Sequence, residues 1–477
     1  MDRKEKNRYF IDPFGCVKNQ VDAENMMAHL NKAGWASVTD ANSADLIIVN
    51  SCGFIESAKQ ESINAVMEWR KHYPEKKIIL TGCLSQRYAN DLKKILPEAN
   101  AFMGVEDISQ IVKMAANTVS PDSNTDTQPA AADNTGERPL LSLPGSAYVK
   151  ISEGCNNRCS YCAIPLIRGN LVSRAIDDIA EECRALLKRG IIELNIIGQD
   201  IGAYGMDMAK ESQLPDLLNE ISKLEENFWV RLLYIHPDHF PLKILDLMER
   251  DKRFLPYFDI PFQHASEKIL TAMNRNNASS LRAADYRLDV PLYETPSDRY
   301  LSLLETIRTR LPNAVIRSTF LLGFPGETEE DFAALLDFQK KANLDWLGCF
   351  AYSREDGTAS YSMKDRVPMK TACLRKEKIE EKQITITEKN MERFAGGEFD
   401  VLIEERFAAP EGEAEPTGDT DDGEETLWLG RLYCQAPDID GATVIISDQH
   451  SKNIPQTGKL VRCNVITRRG FDLEARV

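Results

Sequence analysis

Nowhere in its 477 residues does this chain supply the run of about 20 apolar residues that a bilayer-spanning helix needs. Its opening stretch, MDRKEKNRYFIDPFGC, carries charge but no apolar core, so no secretory signal is expected. A surplus of positive charge is missing too. There are 58 basic against 74 acidic residues, a formal net charge of −16. Such a surface repels nucleic acid at long range unless a local basic patch overrides the mean, and it suits a basic protein partner better. The glycine-bearing turn GFPGET (323–328) lacks the GxxxxGK core of a phosphate-cradling loop. No histidine is tied by pattern to one cysteine, which argues against a Cys–His hydrolase. The expected setting is the cytoplasm, without membrane attachment.

What is present is a soluble, globular composition, 43% hydrophobic and 28% charged, long enough for about two to four domains. Residues 8–115 alternate apolar runs (9–14, 45–50, 77–82) with helical patterns (22–34, 57–73), which predicts a parallel sheet with helices on its faces. Residues 117–139 are rich in Asn, Thr, Asp, Pro and Ala and read as a disordered linker. From 147 to about 350, six strand signals alternate with helical ones, the pattern of a partly closed (β/α)6 barrel or of an open doubly wound sheet. A long polar helix over 371–394 leads to short strand signals that predict a small all-β barrel. The fold class is therefore α/β with a β appendage. The expected domains are 1–116, a linker over 117–143, 144–395 and 396–477. Two segments, 276–297 and 409–425, break the rhythm and read as insertions.

Eleven cysteines, odd in number and clustered, do not make a secreted disulfide framework. Cys155, Cys159 and Cys162 fall within eight residues, just after the first barrel strand, where loops form the active face. Thiolates favour zinc or iron–sulfur sites. A structural zinc site wants four protein ligands, and the next cysteine, Cys183, sits on an apolar helical stripe that reads as core. Three thiolates on a 4Fe–4S cluster leave one iron open for a ligand. A zinc knuckle completed from afar is the alternative. Cys16, Cys52 and Cys83 are distant in sequence, yet each follows a strand of the first domain, so they can meet at one sheet edge. The alternative there is three unrelated cysteines.

CNNRCSYC resembles the CxxxCxxC motif of radical S-adenosylmethionine (SAM) enzymes. DPFGCVKNQVDAE, VNSCGFI and LTGCLSQRY resemble the N-terminal domain of the methylthiotransferase family, and the C-terminal strands resemble a TRAM domain. That resemblance implies two 4Fe–4S clusters, held by Cys155, Cys159 and Cys162 and by Cys16, Cys52 and Cys83. It implies SAM as methyl donor and radical source. The second cluster would carry sulfur. Tyr161 matches the aromatic residue that packs near the cofactor.

Within the family, IPLIRGNLVSR (164–174), IIGQDIGAYG (196–205), PFQHASEKILTAMNR (261–275) and RSTFLLGFPGETEEDF (317–332) resemble the branch that methylthiolates the β-carbon of an aspartate in ribosomal protein S12. The branch that modifies adenosine in tRNA usually has Asn in place of Asp200 and QSGS in place of residues 263–266. Residues 398–477 hold 17 acidic and 8 basic residues, which suits docking of a basic protein. Ile201-Gly202 and the two insertions depart from the branch pattern. The expected partners are S12, an electron donor and a sulfur source, and the expected state is a monomer. A non-catalytic iron–sulfur RNA-binding protein is the reading from another class.

The remaining expectations concern strand ends. Arg168 and Arg174 flank the CxxxCxxC loop and can hold a carboxylate of SAM or of substrate. Gln199, Asp200, Gln263 and His264 end strands on the active face. Glu193 begins a strand and is set aside as distant. Thr328 and Glu329 are expected to start the helix after GFPGET.

Overall fold

The stretch DLIIVN is apolar on both faces, and the strand it forms is covered on both. The computed structural model describes residues 7–120, 137–275, 295–407, 425–448 and 453–477. Its first unit runs β1 (Arg8–Pro13), α1 (Val17–Lys32), β2 (Ala36–Ser37), β3 (Leu46–Ser51), α2 (Glu56–His72), β4 (Lys77–Gly82), α3 (Cys83–Ile95), β5 (Ala101–Met103) and α4 (Ile111–Val119). The strands form one parallel sheet in the order β2-β1-β3-β4-β5. Every residue of β3 is buried, as a central parallel strand between helix layers must be. Because β1, β3 and β4 are neighbours, the loops leaving them share one edge.

The second unit contains β6 (Ser146–Lys150), the short antiparallel pair β7 (Ser152–Glu153) and β8 (Val172–Ser173), and between these α5 (Ile164–Arg168). It continues with α6 (Ile176–Lys188), β9 (Glu193–Ile197), α7 (Leu214–Ile221), β10 (Trp229–Leu232), α8 (Lys243–Arg250), β11 (Phe254–Asp259) and α9 (Glu267–Ala272). After them come α10 (Pro296–Arg310), β12 (Val315–Leu322), α11 (Glu329–Ala342), β13 (Trp346–Ala351) and α12 (Met369–Met391). The six long strands are parallel, in the order β13-β12-β11-β10-β9-β6. Ile179, Cys183 and Leu186 form the buried stripe of α6 against this sheet, so Cys183 is core. Thr328 caps α11 through a reciprocal box with Asp331.

The third unit is a closed barrel of β14 (Glu398–Arg406), β15 (Glu425–Arg431), β16 (Thr443–Asp448), β17 (Leu460–Arg469) and β18 (Asp472–Arg476), ordered β14-β15-β16-β18-β17. It docks near the starting ends of the central strands. Glu193 accepts from Arg231 Nε at 2.9 Å and from Arg431 Nη2 at 2.7 Å, and Trp346 Nε1 donates to the carbonyl of Cys434 at 2.7 Å. Burial pushes the Glu193 carboxyl up, but Arg431 and Arg231 overcome this and hold it at about 2. Glu193 is a structural ion, as its position at the start of β9 suggests.

Two expectations need correction. Residues 117–139 are not featureless throughout: α4 continues to Val119, and Arg138 is buried, joining Glu24 of α1 to Glu182 of α6. Helix α1 begins at Val17, not at 22. Its polar first turn hides a helix whose Lys18 and Asn19 face inward. Of the two insertions, 276–294 and 409–424 lie outside the described residues. Among the described residues no helix is long and apolar enough to cross a membrane.

Candidate active site

The first-domain cysteines leave their strands in three different ways. Cys16 is the N-cap of α1, Cys52 follows the last residue of β3, and Cys83 is the first residue of α3. Asn19 ties the three loops. Its Nδ2 points at the carbonyls of Phe14, Asn50 and Ser51, at 2.7, 3.1 and 3.2 Å, and its Oδ1 lies 3.9 Å from Cys83 Sγ. Gly15 holds a φ of +88°, and a Cβ there would stand 3.0 Å from Cys52 Sγ. A Cβ on Gly53 would stand 2.6 Å from the carbonyl carbon of Cys83. Both glycines let neighbouring loops close to a distance that any side chain would prevent.

The second group sits on the loop between β7 and α5. Cys155 N–H donates to the Gly169 carbonyl at 3.2 Å, closing the loop on itself. Asn157 Nδ2 donates to Asp200 Oδ2 at 2.8 Å, and His239 Nδ1 lies 2.7 Å from the same oxygen. Asp200 Oδ1 accepts from Gly202 N and His236 N. Burial works against the Asp200 charge, yet His239 holds its carboxyl pKa well below the usual carboxylate range, so it stays ionised. Ile201 N–H donates to the Tyr234 carbonyl at 3.0 Å. The Ile201-Gly202 departure thus lies in the turn that aims Asp200. On the other side of the loop, Arg275 Nη1 stands 3.2 Å from Tyr161 OH and 3.7 Å from Cys159 Sγ, while its Nη2 donates to the Pro261 carbonyl at 2.6 Å.

The two groups meet through α5. Arg168, at its end, is buried. Its Nη2 donates to Asp22 Oδ2 at 2.7 Å and stands 3.3 Å from Cys83 Sγ, while Nη1 donates to Glu153 at 2.8 Å. Ala163 and Ile167 pack on Cys83. Lys150 also bonds Asp22 and Glu153, and Gln199 Nε2 donates to Glu153 at 3.2 Å. Burial raises the Glu153 carboxyl, but Lys150 and Arg168 hold it down at about 2.

The structure therefore brings Cys16, Cys52, Cys83, Arg168 and Gln199 to one region, and Cys155, Cys159, Cys162, Tyr161 and Asp200 to the adjoining one. Arg168 departs from expectation: it serves the first-domain group, and the carboxylates it grips are the chain's own. Arg174 gives its Nη1 to Glu182, at 2.6 Å, and to the Lys150 carbonyl, while its Nε and Nη2 are buried without a hydrogen-bond partner. His264 is buried in its own turn, where Nδ1 accepts from Ser266 N at 3.0 Å and Nε2 faces Glu327 at 3.9 Å. Burial depresses it to about 3, which keeps it neutral. Gln263 takes a φ of +67° and bridges by main chain to β12. Sequence reading passed over Asn19, Asp22, Glu153, His239 and Arg275. Asn19 and Asp22 stand in the same GCVKNQVD stretch as Cys16, and that spacing after a cysteine was their signal.

Three thiols on each side are the donors a 4Fe–4S cluster takes. Among the described residues no three His, Cys, Asp or Glu side chains stand close enough to grip a single ion. A cubane instead takes one thiolate per iron, so its cysteines surround a shared space. Cys162 lies within electrostatic reach of Cys159 and Cys155, and both Cys52 and Cys83 lie within reach of Cys16. Burial pushes the Cys83 and Cys155 thiols up to about 12. A cluster bound there would take them as thiolates.

Comparisons with known proteins bear on the whole chain. Residues 8–104 match the Uncharacterized protein family UPF0004, residues 149–338 the Radical SAM superfamily and residues 395–477 the TRAM domain. The ribosomal protein uS12 methylthiotransferase RimO of Treponema denticola is 44% identical, over 98% of this chain and 99% of its own length. Its counterpart in Syntrophomonas wolfei is 40% identical, over 91% and 92%. A solved structure of the radical SAM methyltransferase TsrM from Kitasatospora setae, with cobalamin and a 4Fe–4S cluster bound, aligns with a TM-score of 0.54 at 15% identity. It covers 74% of each chain and shows the shared fold. With relatives this similar from end to end, the chain belongs to the radical SAM methylthiotransferases, on the branch of the ribosomal protein uS12 methylthiotransferases.

Proposed function

We propose that this enzyme methylthiolates the β-carbon of an aspartate in ribosomal protein S12. One observation carries the reading: a single buried arginine, Arg168, ends the helix that follows Cys162 and touches Cys83, so two cysteine triads adjoin. Cys155, Cys159 and Cys162 would hold one 4Fe–4S cluster, and Cys16, Cys52 and Cys83 the other. When bound, the clusters and SAM supply one-electron cleavage of a sulfonium bond and a sulfur to insert. The β-carbon of aspartate offers no proton acidic enough for a side-chain base, which is why this chemistry suits that substrate.

The chain's own residues position and shield. Asn157, Asp200 and His239 fix the path of the CxxxCxxC loop. Arg275 braces Cys159 and Tyr161. Asn19 and Arg168 set the positions of the first-domain loops. The acidic third unit attracts a basic protein and disfavours RNA.

The decisive experiment incubates anaerobically reconstituted enzyme, SAM, a sulfide source and a reductant with purified S12 and, separately, with unmodified tRNA. A mass shift on the S12 aspartate supports the reading. Modified tRNA beside unchanged S12 would transfer the enzyme to the nucleoside-modifying branch. Failure to release 5′-deoxyadenosine would leave an iron–sulfur scaffold instead.

A further inference from the structure

Around the two triads, nearly every buried cation is engaged. Arg168 and Lys150 share Asp22 and Glu153, Arg174 is held by Glu182, and Arg317 lies against Asp259 and Asp440. Arg275 gives Nη1 to Tyr161 and Cys159 and Nη2 to the Pro261 carbonyl. Lys18 differs. It is 8% exposed, and among the described residues its ammonium makes neither a hydrogen bond nor an ion pair. Its Nζ stands 3.1 Å from the centre of the Tyr234 ring.

That contact steadies the charge without consuming any of its three N–H donors. Cys16, Asp259 and Glu153 favour its charge only through space and leave its donors unspent, so the ammonium is placed to receive a carboxylate. The location narrows the ligand. Lys18 lies two residues after Cys16, in the first turn of α1. Tyr234 follows β10 with a φ of +70°, and its carbonyl holds the turn beside Asp200. The ammonium therefore bridges the first-domain triad and the strand-end loops of the barrel. Cys16 is exposed and Tyr234 only half-buried, so the place borders an opening.

We propose that Lys18, set on the Tyr234 ring, binds the side-chain carboxylate of the aspartate to be modified and so orients its β-carbon between the two triads. The assignment rests on the substrate reading above. A carboxylate directly attached to the reacting carbon fixes that carbon's position, and an ammonium distinguishes aspartate from asparagine, which is isosteric but neutral.

The test measures binding of two peptides to reconstituted enzyme. One carries the S12 loop with its aspartate, and the other has asparagine in its place. Wild type should favour the aspartate peptide by about tenfold or more. Lys18→Met should abolish the preference while leaving the asparagine peptide's affinity unchanged, and Lys18→Arg should restore part of it. Equal binding of both peptides by wild type would overturn the proposal without any variant. So would Lys18→Met with its preference intact. A changed iron–sulfur spectrum in Lys18→Met, with the peptide preference kept, would make Lys18 a counter-ion of the cluster instead. Wild type that leaves S12 itself unmodified sinks the substrate reading. Wild type that modifies S12 while Lys18→Met keeps its preference sinks only the role of Lys18.

Discussion

Asn50 Nδ2 donates to the main-chain carbonyl of Asn19 at 2.7 Å, and Asn19 Nδ2 donates back to the carbonyl of Asn50 at 3.1 Å. This exchange locks the start of α1 to the end of β3, and so the Cys16 loop to the Cys52 loop. Asn19→Ala leaves three carbonyls without their shared donor. Iron should fall from about eight to about four atoms per chain after reconstitution. SAM cleavage, which depends on the other triad, should persist. Iron and sulfide assays with 5′-deoxyadenosine quantification check both halves.

The triads should separate by mutation. Replacing Cys155, Cys159 and Cys162 together by Ala should abolish 5′-deoxyadenosine formation and leave about four irons. Replacing Cys16, Cys52 and Cys83 should leave about four irons, keep SAM cleavage and stop sulfur insertion. Electron paramagnetic resonance of each reduced triple variant should show one cluster signal.

Arg168→Met removes one cation from a buried charge network and leaves Asp22 and Glu153 to Lys150 alone. Leaving a buried charge wholly unpaired costs about 3–5 kcal/mol, and the remaining lysine keeps the loss below that range. Denaturant unfolding of apoprotein should show a measurable loss short of it, and Arg174→Met, at a partly exposed ion pair, should lose less.

Glu193 gives a pH signature. Its folded-state pKa, about 2, lies below its unfolded value. Its contribution is therefore complete above about pH 4.5 and is lost as pH falls towards 2. The difference in melting temperature between wild type and Glu193→Gln should be constant from pH 6 to pH 5 and shrink below pH 4. A difference that grows on acidification would contradict the assignment.

Residues 411–424 contain seven acids: Glu411, Glu413, Glu415, Asp419, Asp421, Asp422 and Glu424. Neutralising them should slow association with S12 and flatten its salt dependence, since long-range steering is screened beyond about 10 Å at 0.1 M salt. Stopped-flow association at two ionic strengths reads this directly.

The neighbouring loops of Cys16, Cys52 and Cys83 were legible because each follows an apolar run short enough to be a strand, and parallel strands deliver such positions to one edge; Cys155, Cys159 and Cys162 stood out by spacing alone. The six-strand rhythm and the closed β-barrel were legible for the same reason: period and turns are local. Contacts that cross units were not. Arg168 stands six residues after Cys162, yet its guanidinium turns towards Cys83, because which side of a short helix faces a neighbour is set by packing. Arg174 and His264 looked like site residues from their positions alone. Their carboxylate neighbours, Glu182 and Glu327, lie 8 and 63 residues further along the chain. Glu355 had no local signal at all, although it receives Lys59 and Arg87 from the first unit at 3.0 and 2.7 Å.

Helix α5 has one more implication. It starts two residues after Cys162 and finishes against Cys83, and its five residues span only about 7.5 Å. One short stretch of chain therefore touches both cysteine groups. A substitution that tilts this helix shifts the surroundings of Cys162 and Cys83 together, so reshaping either site through α5 reshapes its neighbour.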